Sequence, residues 1–381
     1  MKTILHILKK EPMLTVSMSA AVISLFITPP SKALLTDIDW RTLGTLFMML
    51  CVLEGFKKEN IFRPLIELSS GFKRMTSLSL FLIFGVFFTS MFVTNDVSLI
   101  IFVPLTIILF RDGDKEKYIL PVISMENIAA IRGSLLTPFG SPQNLFLFGQ
   151  ADITAGHFML HMLPLNLSSA LLLIIFVFVL YRKDPSETVQ YSEVTDNDEW
   201  SEDGKVRRIA YIVLFVMIIL TIVSRTSLWP AALIIVIAAM FFLDRSILKK
   251  ADYVLILTFL CFFVFSSSIA ANEKISAMLT KAVAGYEYWW AIGLSQIISN
   301  VPASIVLYPF SANFAGLIYG ADTAGLCSLI GSLASVINYR IYVREYPGNG
   351  GKFIKTFTLI SWAFFIIVVI PGYMLSGWAF F

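Results

Sequence analysis

The chain has 381 residues, of which 57% are apolar and only 14% are charged. Soluble globular proteins carry about 25% charged residues, so this composition excludes an ordinary soluble protein and indicates an integral membrane protein. The formal net charge of +3 is small and gives no indication of a nucleic-acid partner. Cys51, Cys261 and Cys327 lie in apolar stretches without paired spacing, which argues against a disulfide framework or a zinc knuckle.

Apolar stretches close to the roughly 20 residues that a helical crossing requires recur along the whole chain. The first of them follows Lys9 and Lys10 and lacks the small-x-small pattern of a signal-peptide cleavage site, so we interpret it as an uncleaved span. The predicted crossings are 13–29, 38–56, 118–149 (broken), 157–181, 208–225, 229–244, 252–271, 322–343 (broken) and 355–379.

Two further apolar regions, 77–110 and 286–316, are each interrupted at the centre by a polar break. The arms on either side of each break are shorter than a full crossing. We therefore predict two re-entrant helical hairpins, each of which enters and leaves the membrane on one side and has the break at its tip. The tip residues are Thr94, Asn95 and Asp96 in the first hairpin and Ser299, Asn300 and Val301 in the second.

Three motifs recur in the same order in the two halves, with separations that shrink from 213 to 205 to 198 residues. An odd number of predicted crossings separates the copies, so the repeats have inverted topology. The fold prediction is an all-α polytopic membrane protein with two repeats, 1–183 and 206–381, joined by an acidic cytoplasmic linker at 184–205. Each repeat contains scaffold helices, a re-entrant hairpin and a broken transmembrane helix. The matched positions are Asp39 with Asp252, Asn95 with Asn300, and Gly133 with Gly331.

Lysine and arginine mark the cytoplasmic side of a membrane protein. Lys2, Lys9 and Lys10 place the N-terminus inside. The first hairpin then opens to the cytoplasm, the second opens to the exterior, and the C-terminus lies outside. We predict a multi-pass protein of the bacterial cytoplasmic (inner) membrane, surrounded by the lipid bilayer. The basic clusters that fall inside are 57–76, 111–117, 182–208, 245–250 and 340–355.

The polar breaks form the candidate site, because an unpaired polar group in a membrane costs several kcal/mol unless it binds something. Unwound carbonyls and Asn or Ser oxygens can coordinate a cation, and helix N-termini favour an anion. The prolines and the glycine in 137–144 predict an unwound crossing, with a counterpart at 331–338. Helix capping by the tip residues is the alternative interpretation. The predicted substrate- and ion-binding residues are Thr94, Asn95, Asp96, Thr137, Gly140, Ser141, Gln143, Asn144, Ser299, Asn300, Val301, Ser332 and Ser335.

Four motifs together carry a resemblance to a known superfamily: TNDVSLIIFVPL, GSLLTPFGSPQNLFLFG, SNVPASIVLYPF and GSLASVIN. The chain resembles the ion transporter superfamily, which holds citrate-transporter-like proteins, arsenite permeases, sodium/proton antiporters of the NhaD type and divalent-anion/sodium symporters. It is most similar to a bacterial subgroup of anion permeases of uncertain substrate. The resemblance implies a scaffold that often forms a homodimer, a mobile part with two opposed hairpins, and elevator-type alternating access.

The same resemblance implies roles for the hairpin tips. Each tip of the related symporters carries Ser-Asn-Thr, which binds sodium and substrate, and Asn95 and Asn300 match its Asn as possible Na⁺ positions. Thr94 and Ser299 match its Ser. The Thr position departs from the pattern in both tips. It holds Asp96 in the first tip, which resembles the arsenite permeases, and Val301 in the second.

The sequence thus predicts an ion-coupled secondary active transporter of a small anion, a carboxylate or an oxyanion. The sequence has no H-E-x-x-H, G-x-S-x-G or Walker motif, so we predict no enzyme and no cofactor, with Na⁺ or H⁺ as the coupling ion. Asp96 is the acid at the tips and the predicted coupling residue. The alternative is an Na⁺/H⁺ antiporter or an arsenite-type efflux permease that uses Asp96.

Three other polar residues within apolar spans have two readings each. Glu126 and Arg132 are six residues apart and do not share a helix face, so they either join neighbouring helices or take part in transport. Gln296 lies one turn before the second tip and is either a site residue or a packed amide.

Overall fold

The computed structural model describes residues 12–29, 38–61, 71–188, 202–224 and 226–377, with the single residues 34, 36 and 68. Within these ranges the secondary structure is helical, apart from an isolated β-bridge between Arg74 and Thr188. The prediction of an all-α polytopic membrane protein is confirmed at this level. Helices long and apolar enough to cross a membrane are Met75–Val93, Ala155–Leu180, Gly204–Val223, Tyr253–Ala270 and Gly350–Ser376.

The first half of the chain contains the helices that lead up to the predicted linker. A short 3₁₀ turn, Glu116–Tyr118, precedes the fifth of them. Most of the predicted linker 184–205 lies outside the described residues. The helices are α1 (Pro12–Ile27), α2 (Trp40–Lys58), α3 (Met75–Val93), α4 (Asn95–Asp112), α5 (Ile119–Ser134), α6 (Pro142–Gln150) and α7 (Ala155–Leu180).

The second half begins within the predicted linker, because its first helix starts at Glu202. A second 3₁₀ turn, Tyr308–Phe310, separates two of its helices. The helices are α8 (Glu202–Val223), α9 (Trp229–Leu243), α10 (Arg245–Lys250), α11 (Tyr253–Ala270), α12 (Glu273–Val283), α13 (Glu287–Ile298), α14 (Asn300–Leu307), α15 (Phe314–Ala324), α16 (Leu333–Glu345) and α17 (Gly350–Ser376).

Helices α1, α2, α8, α9 and α11, here called the scaffold helices, pack on one another in pairs: α1 lies along α11, and α2 contacts α8 and α9. The Ser268 hydroxyl donates to the Ser24 carbonyl at 2.9 Å, which joins α11 to α1. Helices α2 and α11 begin in the same way. Asp39 and Asp252 each cap the helix that follows, and both have φ −76° and ψ 79°.

The two predicted hairpin regions each form a pair of antiparallel helices, α3 with α4 and α13 with α14. In the first pair, the Thr89 hydroxyl donates to the Ser98 hydroxyl at 2.9 Å, and these residues lie five positions before and four positions after the turn residue Thr94. A single residue connects the two arms of each pair. Thr94 has φ 71° and ψ 153°, and Ser299 has φ 70° and ψ 158°. Positive φ is uncommon outside glycine, so the two turns share an unusual backbone conformation.

The arms of the two hairpins differ in length. Helices α3 and α4 have 19 and 18 residues, whereas α13 and α14 have 12 and 8. A helix of 19 residues is about 28 Å long and can cross a membrane by length and composition. The prediction that both arms of 77–110 are too short to cross is therefore wrong for α3. The helix runs past the polar Thr76 and Ser77 to Met75, and past the predicted end at 92 as far as Val93.

The boundary between the second hairpin and the broken helix after it also differs from the prediction. The second arm was expected to extend to 316, but α14 ends at Leu307 and the 3₁₀ turn contains Pro309, which cannot donate a backbone hydrogen bond. Asn313 then caps α15 by accepting from the Gly316 N–H at 2.8 Å. The broken helix of the second repeat therefore begins at Phe314 rather than at 322.

In each half, a glycine of the broken helix packs tightly against the first arm of the hairpin. A Cβ on Gly133 of α5 would lie 2.0 Å from the Phe87 carbonyl oxygen of α3. A Cβ on Gly320 of α15 would lie 2.5 Å from the Tyr288 carbonyl oxygen of α13. Such distances are far below van der Waals contact, so both backbones approach closely because the glycines have no side chain.

Ion pairs in the described part of the chain join segments for which the lysine and arginine distribution predicts a cytoplasmic position. Lys58 pairs with Asp244, and this hydrogen bond lowers the pKa of the Asp244 carboxyl to about 2. The other pairs between segments are Arg111 with Glu345 at 3.4 Å, Lys115 and Lys117 with Glu187 at 3.1 Å each, and Arg207 with Glu59 at 3.7 Å.

Candidate functional site

The first hairpin tip is partly open. Thr94 ends α3 and precedes α4, and its side chain makes no capping hydrogen bond. Asn95 is buried, whereas Thr94 and Asp96 are half-buried. Lys57 and Asp252 are the charged residues that act electrostatically on Asp96. The tip therefore presents an amide and a carboxylate at the N-terminus of α4.

An unwound stretch lies between α5 and α6 over residues 135–141, whereas the prediction was 137–144, because Pro142 begins α6 at the first helical position that suits proline. Its counterpart lies at 325–332 rather than at 331–338, because α16 begins at Leu333. The Thr137 hydroxyl donates to the Met91 carbonyl, which lies in the last turn of α3 before the tip. A Cβ on Gly140 would lie 2.3 Å from the Ser134 carbonyl oxygen. This glycine thus lets the unwound backbone fold against the end of α5, and Thr137 joins it to the first hairpin.

Three polar residues at the end of the unwound stretch and in the first turn of α6 have different partners. The Ser141 hydroxyl caps α6 by accepting from the Asn144 N–H at 3.4 Å, so it serves the helix start rather than an open site. Gln143 donates from Nε2 to Oδ1 of Asp322 at 2.9 Å, across the two halves of the chain. The Asn144 amide group donates to the Ser134 and Leu135 carbonyls at 3.4 and 3.3 Å.

The second hairpin tip is closed by contacts with the broken helix of its own repeat. The Asn300 backbone N–H donates to the Gly331 carbonyl at 3.2 Å. Its side-chain amide donates to the Ala321 carbonyl at 3.3 Å. Ser299 makes no capping hydrogen bond, and its buried hydroxyl has no partner. Val301, predicted as a site residue, packs in the apolar core.

The predicted second-repeat residues Ser332 and Ser335 lie at the start of α16. Ser332 is buried and occupies the capping position without a side-chain hydrogen bond. Ser335 accepts from the Asn127 amide group at 3.0 Å, so this contact joins α16 to α5. Near it, the Asn338 amide group donates to the Ile123 carbonyl at 2.7 Å. Residues of the two halves of the chain therefore contact each other directly.

Glu126, Arg132 and Gln296, the residues for which the sequence left two interpretations open, each form at least one hydrogen bond within the protein. Thr106 of α4 donates its hydroxyl to Glu126. Arg132 donates from Nε to the Ser169 hydroxyl at 2.9 Å. Gln296 accepts from the Ser328 hydroxyl at 2.7 Å and donates to the Ala324 carbonyl at 3.1 Å, as expected for a packed amide.

Two central residues were missed by sequence reasoning, Asp322 and Asn127. Both are buried, and each joins the two halves through one of the hydrogen bonds described above. Asp322 was detectable in principle, because it is an acid inside the otherwise apolar or small run 314–327. It escaped notice because the broken helix was predicted to begin at 322, which placed the acid at a helix end.

Several buried polar atoms at this centre lack a hydrogen-bond partner, which is uncommon in folded proteins. Helix capping does not account for the tips, since neither Thr94 nor Ser299 uses its side chain as a cap. Within the described ranges, no group of three His, Cys, Asp or Glu residues is arranged to hold a metal ion. The unpartnered atoms near the second tip and the unwound crossing are Ser299 Oγ, Asn144 Oδ1, Asp322 Oδ2 and Arg132 Nη2.

Similar proteins match this sequence over nearly its full length. The sequence is 28% identical to the inner membrane protein YbiR of Escherichia coli over 361 residues, covering 93% of this chain and 92% of the relative. It is 29% identical to the uncharacterized transporter MJ0456 of Methanocaldococcus jannaschii over 344 residues, covering 90% and 91%. These relatives support a multi-pass membrane protein that functions as a transporter.

The fold also resembles that of a solved transporter. The crystal structure of the Alcanivorax borkumensis YdaH transporter, described as having an unusual topology, matches with a TM-score of 0.56 and 12% identity over 96% of each chain. This likeness concerns the fold alone. A family model described as citrate transporter (CitMHS) matches residues 3–331. The chain therefore belongs to the citrate transporter family. This agrees with the resemblance to the ion transporter superfamily that its motifs indicate.

Proposed function

We propose that this protein is an ion-coupled secondary active transporter of a small anion, a carboxylate or an oxyanion, that works by elevator-type alternating access. One observation carries the proposal. Two helical hairpins with the same turn conformation, at Thr94 and Ser299, each pack against a broken helix of their own half. Paired breaks in corresponding positions of two halves are the usual sign of a transporter's binding site.

The inverted repeat is supported by several matched details. Asp39 and Asp252 begin corresponding helices with equal backbone angles. Gly140 and Gly331 each lie against the end of the preceding helix, where an added Cβ would be 2.3 Å from the Ser134 carbonyl oxygen and 2.4 Å from the Ala324 carbonyl oxygen. If the repeats are inverted, the first hairpin opens to the cytoplasm and the second to the exterior. A substrate held between the tips would then be reached from one side at a time, which is what alternating access requires.

An anionic substrate is supported by the chemistry of the centre. The N-termini of α4 and α14 are directed to the tips, and a helix N-terminus carries partial positive charge. Amide and hydroxyl groups supply further donors, and Arg132 places a buried guanidinium nearby. Citrate is the first substrate to test, because the matching family is described as citrate transporters.

The test is exchange of radiolabelled anions in proteoliposomes, with citrate, succinate, sulfate and arsenite compared. Exchange needs no ion gradient, so it measures substrate recognition separately from coupling. We expect saturable exchange of at least one carboxylate or oxyanion, and competition among anions of similar shape. Channel-like flux that exceeds carrier rates, or Na⁺/H⁺ exchange without any anion transport, would contradict the proposal.

A further inference from the structure

The centre of the molecule contains a buried pair of opposite charges that comes from the two different halves. Asp322 lies on α15 and is 1% exposed, and Arg132 lies on α5 and is fully buried. Arg132 donates from Nη1 to the Asp322 backbone carbonyl at 3.4 Å rather than to the carboxylate. The carboxylate therefore has a charged neighbour but no direct ion pair, and its Oδ2 atom remains without a partner.

The first turn of α6, directly after the unwound crossing, contacts the Asp322 carboxylate. Gln143 donates to Oδ1 at 2.9 Å, which orients the group and leaves Oδ2 free. The side chain of Asn144, the next residue, also interacts with the Asp322 carboxylate, and its own Oδ1 atom is buried without a partner. The neighbouring residue Ala321 accepts a hydrogen bond from Asn300 at the second tip. Asp322 is thus in contact with the unwound crossing and adjacent to the hairpin tip.

Few other charges act on this carboxylate. Arg132 is the charged residue that interacts electrostatically with the Asp322 carboxylate. Tyr319, one turn earlier, is the other titratable residue of α15. Helices α6 and α14, which pack against α15, contain no titratable side chain. Helix α13 adds Glu287, which accepts from the Ala312 and Asn313 N–H groups, and Tyr288, which donates to the Val369 carbonyl. The other titratable groups on elements around α15 are His157 and His161 of α7, with His161 beside Tyr319, and Lys352, Lys355 and Tyr373 of α17, with Tyr373 beside Tyr288.

We propose that Asp322 carries the coupling proton of this transporter, with Arg132 as the fixed positive charge that links the proton to the anion. The proposal rests on the transport function proposed above. When Asp322 is ionised, it compensates Arg132. When Oδ2 binds a proton, the pair gains one positive charge, and an anion at the adjacent tip then supplies the missing negative charge. Proton and anion therefore favour each other's binding, as reciprocal coupling requires.

A proton suits this position better than a metal cation. A metal cation takes several oxygen ligands, whereas a proton needs only the single unpartnered oxygen that Oδ2 provides. Asp96, the acid suggested by the sequence, differs in its surroundings. It is half-buried, and Lys57 and Asp252 act on it with opposite signs, whereas Arg132 is the charged residue that acts on Asp322.

The first test uses an Asp322→Asn variant in proteoliposomes with the membrane potential clamped at zero. Wild-type protein should accumulate citrate up to about tenfold for each unit of pH difference if one proton accompanies each anion. The variant should keep citrate exchange but lose accumulation, with a ratio near one. Glu287→Gln is the matched control, because Glu287 is another buried acid, bound to the backbone N–H groups of Ala312 and Asn313. It should keep accumulation.

The second test uses wild-type protein, so it does not depend on how the variant folds. Dicyclohexylcarbodiimide reacts with protonated carboxyl groups in apolar surroundings, and peptide mass spectrometry locates the adduct. We expect an adduct on Asp322 that increases at acidic pH and none on Glu287. Absence of the Asp322 adduct at acidic pH, or pH-driven accumulation by Asp322→Asn, would overturn the inference. Absence of anion exchange by wild-type protein would instead count against the proposed function.

Discussion

The two hairpins share a turn conformation but have different surroundings. The first has long arms and a partly open tip that carries a carboxylate. The second has short arms and a fully buried tip, which the Asn300 amide group fastens to the Ala321 carbonyl. The second hairpin is also attached to a scaffold helix, since the Ser266 hydroxyl of α11 donates to the Ile305 carbonyl of α14 at 2.9 Å.

This difference separates the role of the backbone from the role of the side chains. Both turns place a polar residue at positive φ, so the hairpin geometry does not depend on whether the tip is open. What differs is the set of bonds that each asparagine makes. Asn300 makes two bonds to the broken helix. The second tip is therefore held closed by the broken helix, whereas the first tip is partly open.

The largest effect on stability is expected at the close contact between a glycine of the broken helix and the first arm of the hairpin, which both halves contain. Gly133→Ala would place a Cβ 2.0 Å from the Phe87 carbonyl oxygen, and the backbone of α3 would have to move away. Overpacking of this kind costs about 1–3 kcal/mol or more, so we expect a clear fall in melting temperature and in yield. Gly293→Ala is the control, because no atom lies within 4 Å of the added Cβ. Equal thermal stability of the two variants would contradict the packing described.

The next effect distinguishes the two tip asparagines. Asn300→Ala removes a buried hydrogen bond and should lower stability by about 1–3 kcal/mol while also abolishing anion exchange. Asn95→Ala should weaken apparent affinity by roughly tenfold, with a change in stability of only about 0.5 kcal/mol. Thermal unfolding in detergent and exchange in proteoliposomes measure the two quantities separately. Equal destabilisation by both variants would mean that the open and closed tips are not distinct.

The smallest effect is expected at Asp96, on the open tip. Because the side chain is only half-buried at the open tip, Asp96→Asn should lower the initial uptake rate by less than about tenfold. Accumulation driven by a pH gradient should persist in this variant. Loss of pH-driven accumulation in Asp96→Asn would indicate that Asp96, rather than Asp322, couples transport to the ion gradient, and it would favour the antiporter alternative.

The sequence predicts the positions of the hairpins and of the unwound crossing, because both depend on local signals. The breaks around Asn95 and Asn300 and the prolines near Gly140 interrupt apolar runs regardless of what packs around them. Boundaries that depend on packing or capping were less predictable. Residues 314–316 continue the apolar pattern of the hairpin arm, and only the cap formed by Asn313 shows that a new helix begins there.

The contacts across the two halves were not predictable from local patterns at all. Gln143 was expected to face a polar partner, but its partner Asp322 lies 179 residues away in the chain. Pairing of this kind depends on how the halves pack, which periodicity does not describe. The same holds for the bond between Asn127 and Ser335, which lie 208 residues apart.

The most direct test of the account is the sidedness of the four hairpin ends. Single cysteines at Lys73, Asp112, Ala284 and Ala312, all exposed positions, are introduced after replacement of Cys51, Cys261 and Cys327. A membrane-impermeant thiol reagent is then applied to oriented vesicles of either polarity. The account predicts that positions 73 and 112 react from the cytoplasm and that 284 and 312 react from the opposite side. Reaction of either pair from two different sides would contradict it, because that hairpin would then cross the membrane.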